Sequence, residues 1–136
     1  MKKQNYIVIV DDDEDDRFLI ESAFQETMLP TQLSFFENGD SLLSFLSNPP
    51  DPLPSVILMD INMPGRSGIE TLQILKTTKA IKNIPIVILS TTKSTHEIAE
   101  VYRSGANSFV NKPSSYVGLK TLVNKIHSYW IETNVT

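Results

Sequence analysis

An α/β domain built on a parallel β-sheet is expected from the alternation along this chain, in which five short apolar runs are separated by segments whose apolar residues recur with helical period. A second observation is where the runs stop. Tyr6 to Val10 leads into Asp11 and Asp12, Val56 to Met59 into Asp60, Ile86 to Leu89 into Ser90, and Phe109 to Asn111 into Lys112. Strand C-termini in a parallel sheet share one edge, so these residues, distant in sequence, are expected to converge in one crevice. The third observation is size. With 136 residues, 40% of them hydrophobic, the chain fits one domain spanning 1–136 with a self-sufficient core and no output domain.

The first helix is expected over Glu14 to Met28, burying Phe18, Ile20, Ala23 and Phe24, with Pro30 closing it. Acids in its first turn, Glu14 to Asp16, suit the positive end of the helix dipole and read as a solvated helix start. Leu33 to Phe36 forms a weaker second strand, followed by an Asn38-Gly39 turn and a helix carrying Leu42, Leu43, Phe45 and Leu46. Four prolines between Asn48 and Pro54 forbid helix or central strand there and predict a surface loop.

After Asp60, Asn62-Met63-Pro64-Gly65 reads as a loop and Ile69, Leu72 and Leu75 as one face of a third helix. Pro85 opens the fourth strand. The fourth helix, near Thr95 to Arg103, is the least apolar and is expected to pack through Ile98, Val101 and Tyr102. The fifth carries Leu119, Leu122, Val123, Ile126, Tyr129 and Trp130, close to the i, i+3, i+4, i+7 template, with Tyr129 and Trp130 lidding the core. His96 and His127 read as single surface residues.

Composition removes several classes of function. Cysteine is absent, which excludes disulfides and thiolate metal sites. No apolar run approaches the roughly 20 residues that span a bilayer, and no signal-peptide core precedes Asn5, so a cytoplasmic protein without membrane contact is expected. A net charge of −4, with 12 Lys and Arg scattered singly, gives no electrostatic reason to expect nucleic acid as a partner.

Three carboxylates, a hydroxyl and an ammonium at one sheet edge describe a site that handles a phosphoryl group with a metal. A carboxylate that accepts a phosphoryl group needs a divalent cation beside it, because the two anions repel and the developing charge must be neutralised. Mg²⁺ takes hard oxygen ligands, commonly one or two carboxylates with water completing the shell. Asp12 and Asp60, with Asp11 acting through water, meet that need. Without a cation, like charges roughly 4 Å apart cost about 4 kcal/mol per pair at an effective dielectric near 20. Lys112 relieves part of this by pairing with Asp60 at rest, and Ser90 offers a hydroxyl donor.

These residues resemble the receiver domain of two-component response regulators over essentially the whole chain. The acid pair stands in Val10-Asp11-Asp12-Asp13 with Arg17 following, and the phosphoacceptor motif in Asp60-Ile61-Asn62-Met63-Pro64-Gly65-Arg66-Ser67-Gly68. The switch hydroxyl matches Ser90 after Ile86-Val87-Ile88-Leu89, and the lysine matches Lys112 in Phe109-Val110-Asn111-Lys112-Pro113. The resemblance implies the flavodoxin-like receiver fold, a doubly wound five-stranded sheet of order 2-1-3-4-5 flanked by five helices.

It further implies that Asp60 takes a phosphoryl group from a sensor histidine kinase or phosphotransfer protein, with Mg²⁺ held by Asp12, Asp60 and the backbone carbonyl of Asn62. Ser90 and Phe109 would then act as a switch that changes contacts with a downstream protein. Catalysis would be limited to self-phosphorylation and self-dephosphorylation. A weaker likeness points to the small receivers paired with phytochrome-like sensor kinases, and a homodimer through the fourth helix, fifth strand and fifth helix is one arrangement this allows. The chain departs from the family at Phe109, where tyrosine is common, at Thr91, where a smaller residue is frequent and entry to Asp60 could narrow, and at Ser67, a loop-capping change.

Other classes compete with this reading. A haloacid-dehalogenase-like phosphatase would use Asp11 as nucleophile and Asp13 as acid, but leaves Asp60 unexplained. A flavodoxin-like flavin carrier needs a Gly- and Ser-rich phosphate loop where this chain has acids. A phosphorylation-independent adaptor would have no use for five site residues. Asp11-x-Asp13-x-Asp15 opens like a calcium loop, yet Asp16 replaces the required Gly and Ser22 the closing Glu.

Overall fold

The computed structural model describes residues 6–27, 31–63, 65 and 67–133. Five strands, β1 (Tyr6–Val10), β2 (Gln32–Phe36), β3 (Val56–Asp60), β4 (Ile86–Ser90) and β5 (Ser108–Asn111), alternate with five helices. The helices are α1 (Glu14–Glu26), α2 (Gly39–Leu46), α3 (Gly68–Thr77), α4 (Thr95–Arg103) and α5 (Tyr116–Ile126), and a π-helical segment, His127–Thr133, follows α5. All strands are parallel in the order β2-β1-β3-β4-β5, the order expected from the resemblance.

Period-2 alternation divides the strands between two cores. Tyr6, Val8, Val10, Ile57, Met59, Ile86 and Ile88 face one side, where Leu42 and Leu46 of α2, Leu72 and Leu75 of α3 and Val101 of α4 cover them. Ile7, Ile9, Leu58, Val87 and Leu89 face the other, under Ile20, Ala23 and Phe24 of α1 and Val123 and Ile126 of α5. With both faces covered, β1, β3 and β4 are nearly continuous apolar runs, each buried side chain contributing about 1.5–3 kcal/mol. The apolar stretches therefore have no polar position to spare until they reach the sheet edge.

Helix starts are set by short polar side chains. Asp13 caps α1 by accepting from the N–H groups of Asp15 and Asp16, and Asn38 caps α2 from Ser41. Ser67 and Glu70 form a reciprocal capping box on α3, the role expected of Ser67. Gly68 is required there. A Cβ on it would lie 2.6 Å from the Ile61 Cα, so only glycine lets α3 begin this close to the end of β3.

Four packing expectations need correction. Phe18 is 65% exposed, because it lies two positions, about 200° of helix rotation, from the Ile20 stripe. Tyr102 is half-exposed, and its phenol oxygen accepts the Phe109 N–H at 3.0 Å instead of filling the core. Tyr129 is exposed while Trp130 packs against the α1–α5 core, since residues three apart no longer stack once the helix widens to π spacing. His127 is buried, not on the surface, occupying the position four residues beyond buried Val123. Phe45 is exposed at the rim, tilted against Phe36. The expected end of α1 at Met28 and Pro30 lies outside the described residues.

Candidate metal centre at the C-terminal edge of the sheet

Asp11 follows β1 directly, and its backbone N–H donates to the Phe36 carbonyl at 3.0 Å, extending the β1–β2 ladder by one bond. Its side chain is only 2% exposed. One carboxylate oxygen, Oδ1, accepts the Asp13 N–H at 2.9 Å, and Oδ2 accepts from Lys112 Nζ at 2.8 Å. The Arg17 guanidinium reaches back to donate to the Asp11 carbonyl at 2.6 Å, tying α1 to this turn. Asp12, next along the chain, is exposed.

Asp60 closes β3, in register with Leu89 of β4, and its carboxylate is mostly covered. Oδ1 accepts the Asn62 N–H at 3.0 Å and Oδ2 accepts from Lys112 Nζ at 3.2 Å. Asp11, Asp12 and Asp60 each present an oxygen within 4.8 Å of the others. This all-oxygen, triply anionic set fits a hard divalent cation such as Mg²⁺ and excludes metals that favour sulfur.

Lys112 follows β5, and its backbone N–H donates to the Ser90 carbonyl at 2.9 Å, which fixes its starting point against β4. Its ammonium has three carboxylate partners: Asp11 at 2.8 Å, Asp16 at 2.6 Å and Asp60 at 3.2 Å. Asp60, the expected resting partner, is the most distant. Burial alone pulls the Lys112 ammonium down, but the hydrogen bonds to Asp11 and Asp16 and the charges of Asp11 and Asp60 outweigh it and hold its pKa above the ordinary lysine value. Burial pushes the Asp11 carboxyl up, against the opposing pull of its bond to Lys112. The lysine thus stays charged, and the buried acid is the costly member of the pair.

Ser90 is fully buried at the end of β4, where its Oγ accepts the Thr92 N–H at 3.1 Å. A hydroxyl engaged as acceptor keeps its own proton for donation. Phe109 pairs with Ile88 in the β4–β5 register, so alternation puts it on the same sheet face as Ser90, partly buried against the α2–α3–α4 core. Thr91 is exposed at the rim. Within the loop after Asp60, Pro64 and Arg66 lie outside the described residues.

All of the strand-end residues singled out in the sequence therefore meet at one edge. Asp16 joins them, a contact with Lys112 that its expected place in a solvated helix start does not anticipate. A periodic signal does point to it: Asp16 stands four, seven and eight residues before the buried Ile20, Ala23 and Phe24, so the inward stripe of α1, extended one turn back, ends on its carboxylate.

A family model described as the response regulator receiver domain matches residues 7–124. The probable methanogenesis regulatory protein FilR2 of Methanothrix harundinacea is 29% identical over 131 residues, covering 94% of this chain and 84% of that protein. The response regulator Rcp1 of Synechocystis is 28% identical over 131 residues, 93% of this chain and 89% of its own, and its Mn²⁺-bound crystal structure superposes with a TM-score of 0.84 over 97% of both chains. The phosphorylated cyanobacterial phytochrome response regulator RcpA superposes with a TM-score of 0.88 at 26% identity over 98% of both chains.

Proposed function

Because this chain belongs to the response regulator receiver family of two-component signalling, we propose that Asp60 accepts a phosphoryl group from the phosphohistidine of a sensor histidine kinase or phosphotransfer protein and so switches contacts with a downstream protein. The observation that carries this is the Asp11–Asp12–Asp60 cluster with Lys112 set among it. In the transfer, an Asp60 carboxylate oxygen forms a bond to phosphorus as the phosphorus–nitrogen bond to the donor histidine breaks, the electron pair leaving with the imidazole.

Before transfer, Asn62 N–H and Lys112 Nζ hold the two Asp60 oxygens and orient the carboxylate. Afterwards Lys112 and the Ser90 hydroxyl are the donors available to the new phosphoryl oxygens, and the acyl phosphate brings about −1.5 to −2 charge to balance. Asp12, Asp60 and the Asn62 carbonyl would hold Mg²⁺ directly, with Asp11 acting through water; the ion, when bound, neutralises charge developing on the phosphoryl oxygens. Drawing Ser90 toward the phosphoryl group changes packing on the face it shares with Phe109, which lies beside α4. We assign the output surface to α4, β5 and α5, where either a downstream protein or a second copy would bind; a cleft of about 510 Å³ lined by Val110, Leu122, Ile126 and Trp130 opens on its β5–α5 side, across the sheet from Phe109. The geometry disfavours a phosphatase with Asp11 as nucleophile, since the Asp11 side chain is only 2% exposed and Asp13 is spent capping α1.

The decisive test is intact mass after incubation with Mg²⁺ and acetyl phosphate, alongside an EDTA control. One phosphoryl group gained only with Mg²⁺ is the expected outcome; no gain despite Mg²⁺ binding would favour a phosphorylation-independent adaptor or donor exclusion past Thr91. A second expectation concerns the metal alone. A ligand at 100 times its dissociation constant stabilises the fold by about 2.7 kcal/mol, so saturating Mg²⁺ should raise the melting temperature by on the order of 10 °C. Asp12→Asn should cut that increment by more than half in a thermal-shift titration, whereas an unchanged increment would place the ion elsewhere.

A further inference from the structure

Lys112 has three ammonium protons and three carboxylate partners, two of which belong to the metal cluster. The third, Asp16, lies outside that cluster and makes the shortest of the three contacts, 2.6 Å. It is presented from a fixed position, because the Asp16 N–H donates to the Asp13 carboxylate that caps α1. A divalent cation held directly by Asp60, and by Asp11 through water, would compete with Lys112 for both carboxylates and repel its charge. Asp16 would then be the partner the ammonium retains.

We propose that Asp16 is a positioning residue, the counter-ion that holds Lys112 within the site when a divalent cation binds Asp60 directly and Asp11 through water. It acts through Lys112 and touches neither metal nor phosphoryl group. Without it the ammonium leans on Asp11 and Asp60 and competes more strongly with the ion. Its consequence for phosphoryl transfer rests on the reading of Asp60 as phosphoacceptor; its effect on metal binding does not.

The test is a calorimetric Mg²⁺ titration of Asp16→Asn and Asp15→Asn, each with Lys112 and with Lys112→Met. Asp15 sits in the same helical turn, is exposed, and its N–H also donates to Asp13, so its neutralisation reproduces the lost charge and dipole effect without a Lys112 contact. With Lys112 present, Asp16→Asn should weaken Mg²⁺ binding about fivefold to tenfold more than Asp15→Asn. In the Lys112→Met background the two should agree within about twofold. Asp16→Glu should recover part of the loss, and the ¹⁵N signal of the Lys112 ammonium in saturating Mg²⁺ should persist in wild type and broaden in Asp16→Asn.

Equal effects of the two neutralisations with Lys112 present would overturn the proposal. So would an Asp16 excess that survives loss of Lys112, or wild type that binds no Mg²⁺. Acetyl phosphate uptake by the same proteins separates the two readings: a wild type that binds Mg²⁺ but gains no phosphoryl group sinks the role of Asp60, while the titration cycle still decides the role of Asp16.

Discussion

Asp60→Asn is expected to lose phosphoryl uptake entirely, with no mass gain from acetyl phosphate in Mg²⁺ at times when wild type is fully modified. An amide oxygen is a far poorer nucleophile than a carboxylate, and the neighbouring acids are badly placed to substitute. Asp11 is nearly inaccessible. Asp12 is exposed but lacks the paired Asn62 N–H and Lys112 donors that orient Asp60. Mg²⁺ binding should weaken at least about tenfold as one anionic ligand is lost. Stability should change by less than about 1 kcal/mol, because the amide oxygen still accepts the Asn62 N–H and one like-charge repulsion disappears. Retained uptake in this variant, localised by peptide mass, would move the phosphoacceptor to another residue.

The sheet was legible in the sequence because a doubly covered parallel sheet leaves its strands no polar alternation. Val56-Ile57-Leu58-Met59 is apolar on both faces, so an aspartate immediately after it marks the edge of the sheet. Convergence of Asp11, Asp60, Ser90 and Lys112 then follows from parallel order alone. Strand order was not derivable from pattern and came from the resemblance to receiver domains. Side-chain reach was hidden for a different reason. Asp16 shares an acidic run with Glu14 and Asp15, and only the phase of a helix whose buried stripe is short, Ile20, Ala23 and Phe24, tells it from its neighbours. Tyr129 misled because the expectation carried α spacing across Ile126, where the hydrogen-bond pattern changes to π.

Lys112→Met should separate the two ways this site balances its charge. In EDTA the variant leaves Asp11, Asp16 and Asp60 without their shared cation. Removing one partner of a fully buried pair costs about 3–5 kcal/mol, but Asp16 is 34% exposed and water can reach it, so a deficit of about 2–3 kcal/mol is expected in urea unfolding. Saturating Mg²⁺ supplies replacement charge and no longer meets a repelling ammonium, so its affinity should rise at least about tenfold and the deficit shrink by about 1.4 kcal/mol or more. The pH profile gives an independent sign. A lysine whose folded pKa lies above its ordinary value of 10.5 contributes stability that is complete below that pH and is lost as pH climbs from there toward the folded value. Wild type should therefore lose stability above about pH 10.5 by a component that Lys112→Met lacks. A deficit equal in EDTA and in Mg²⁺ would mean that the methionine merely packs badly, and that Lys112 and the metal do not share the same carboxylates.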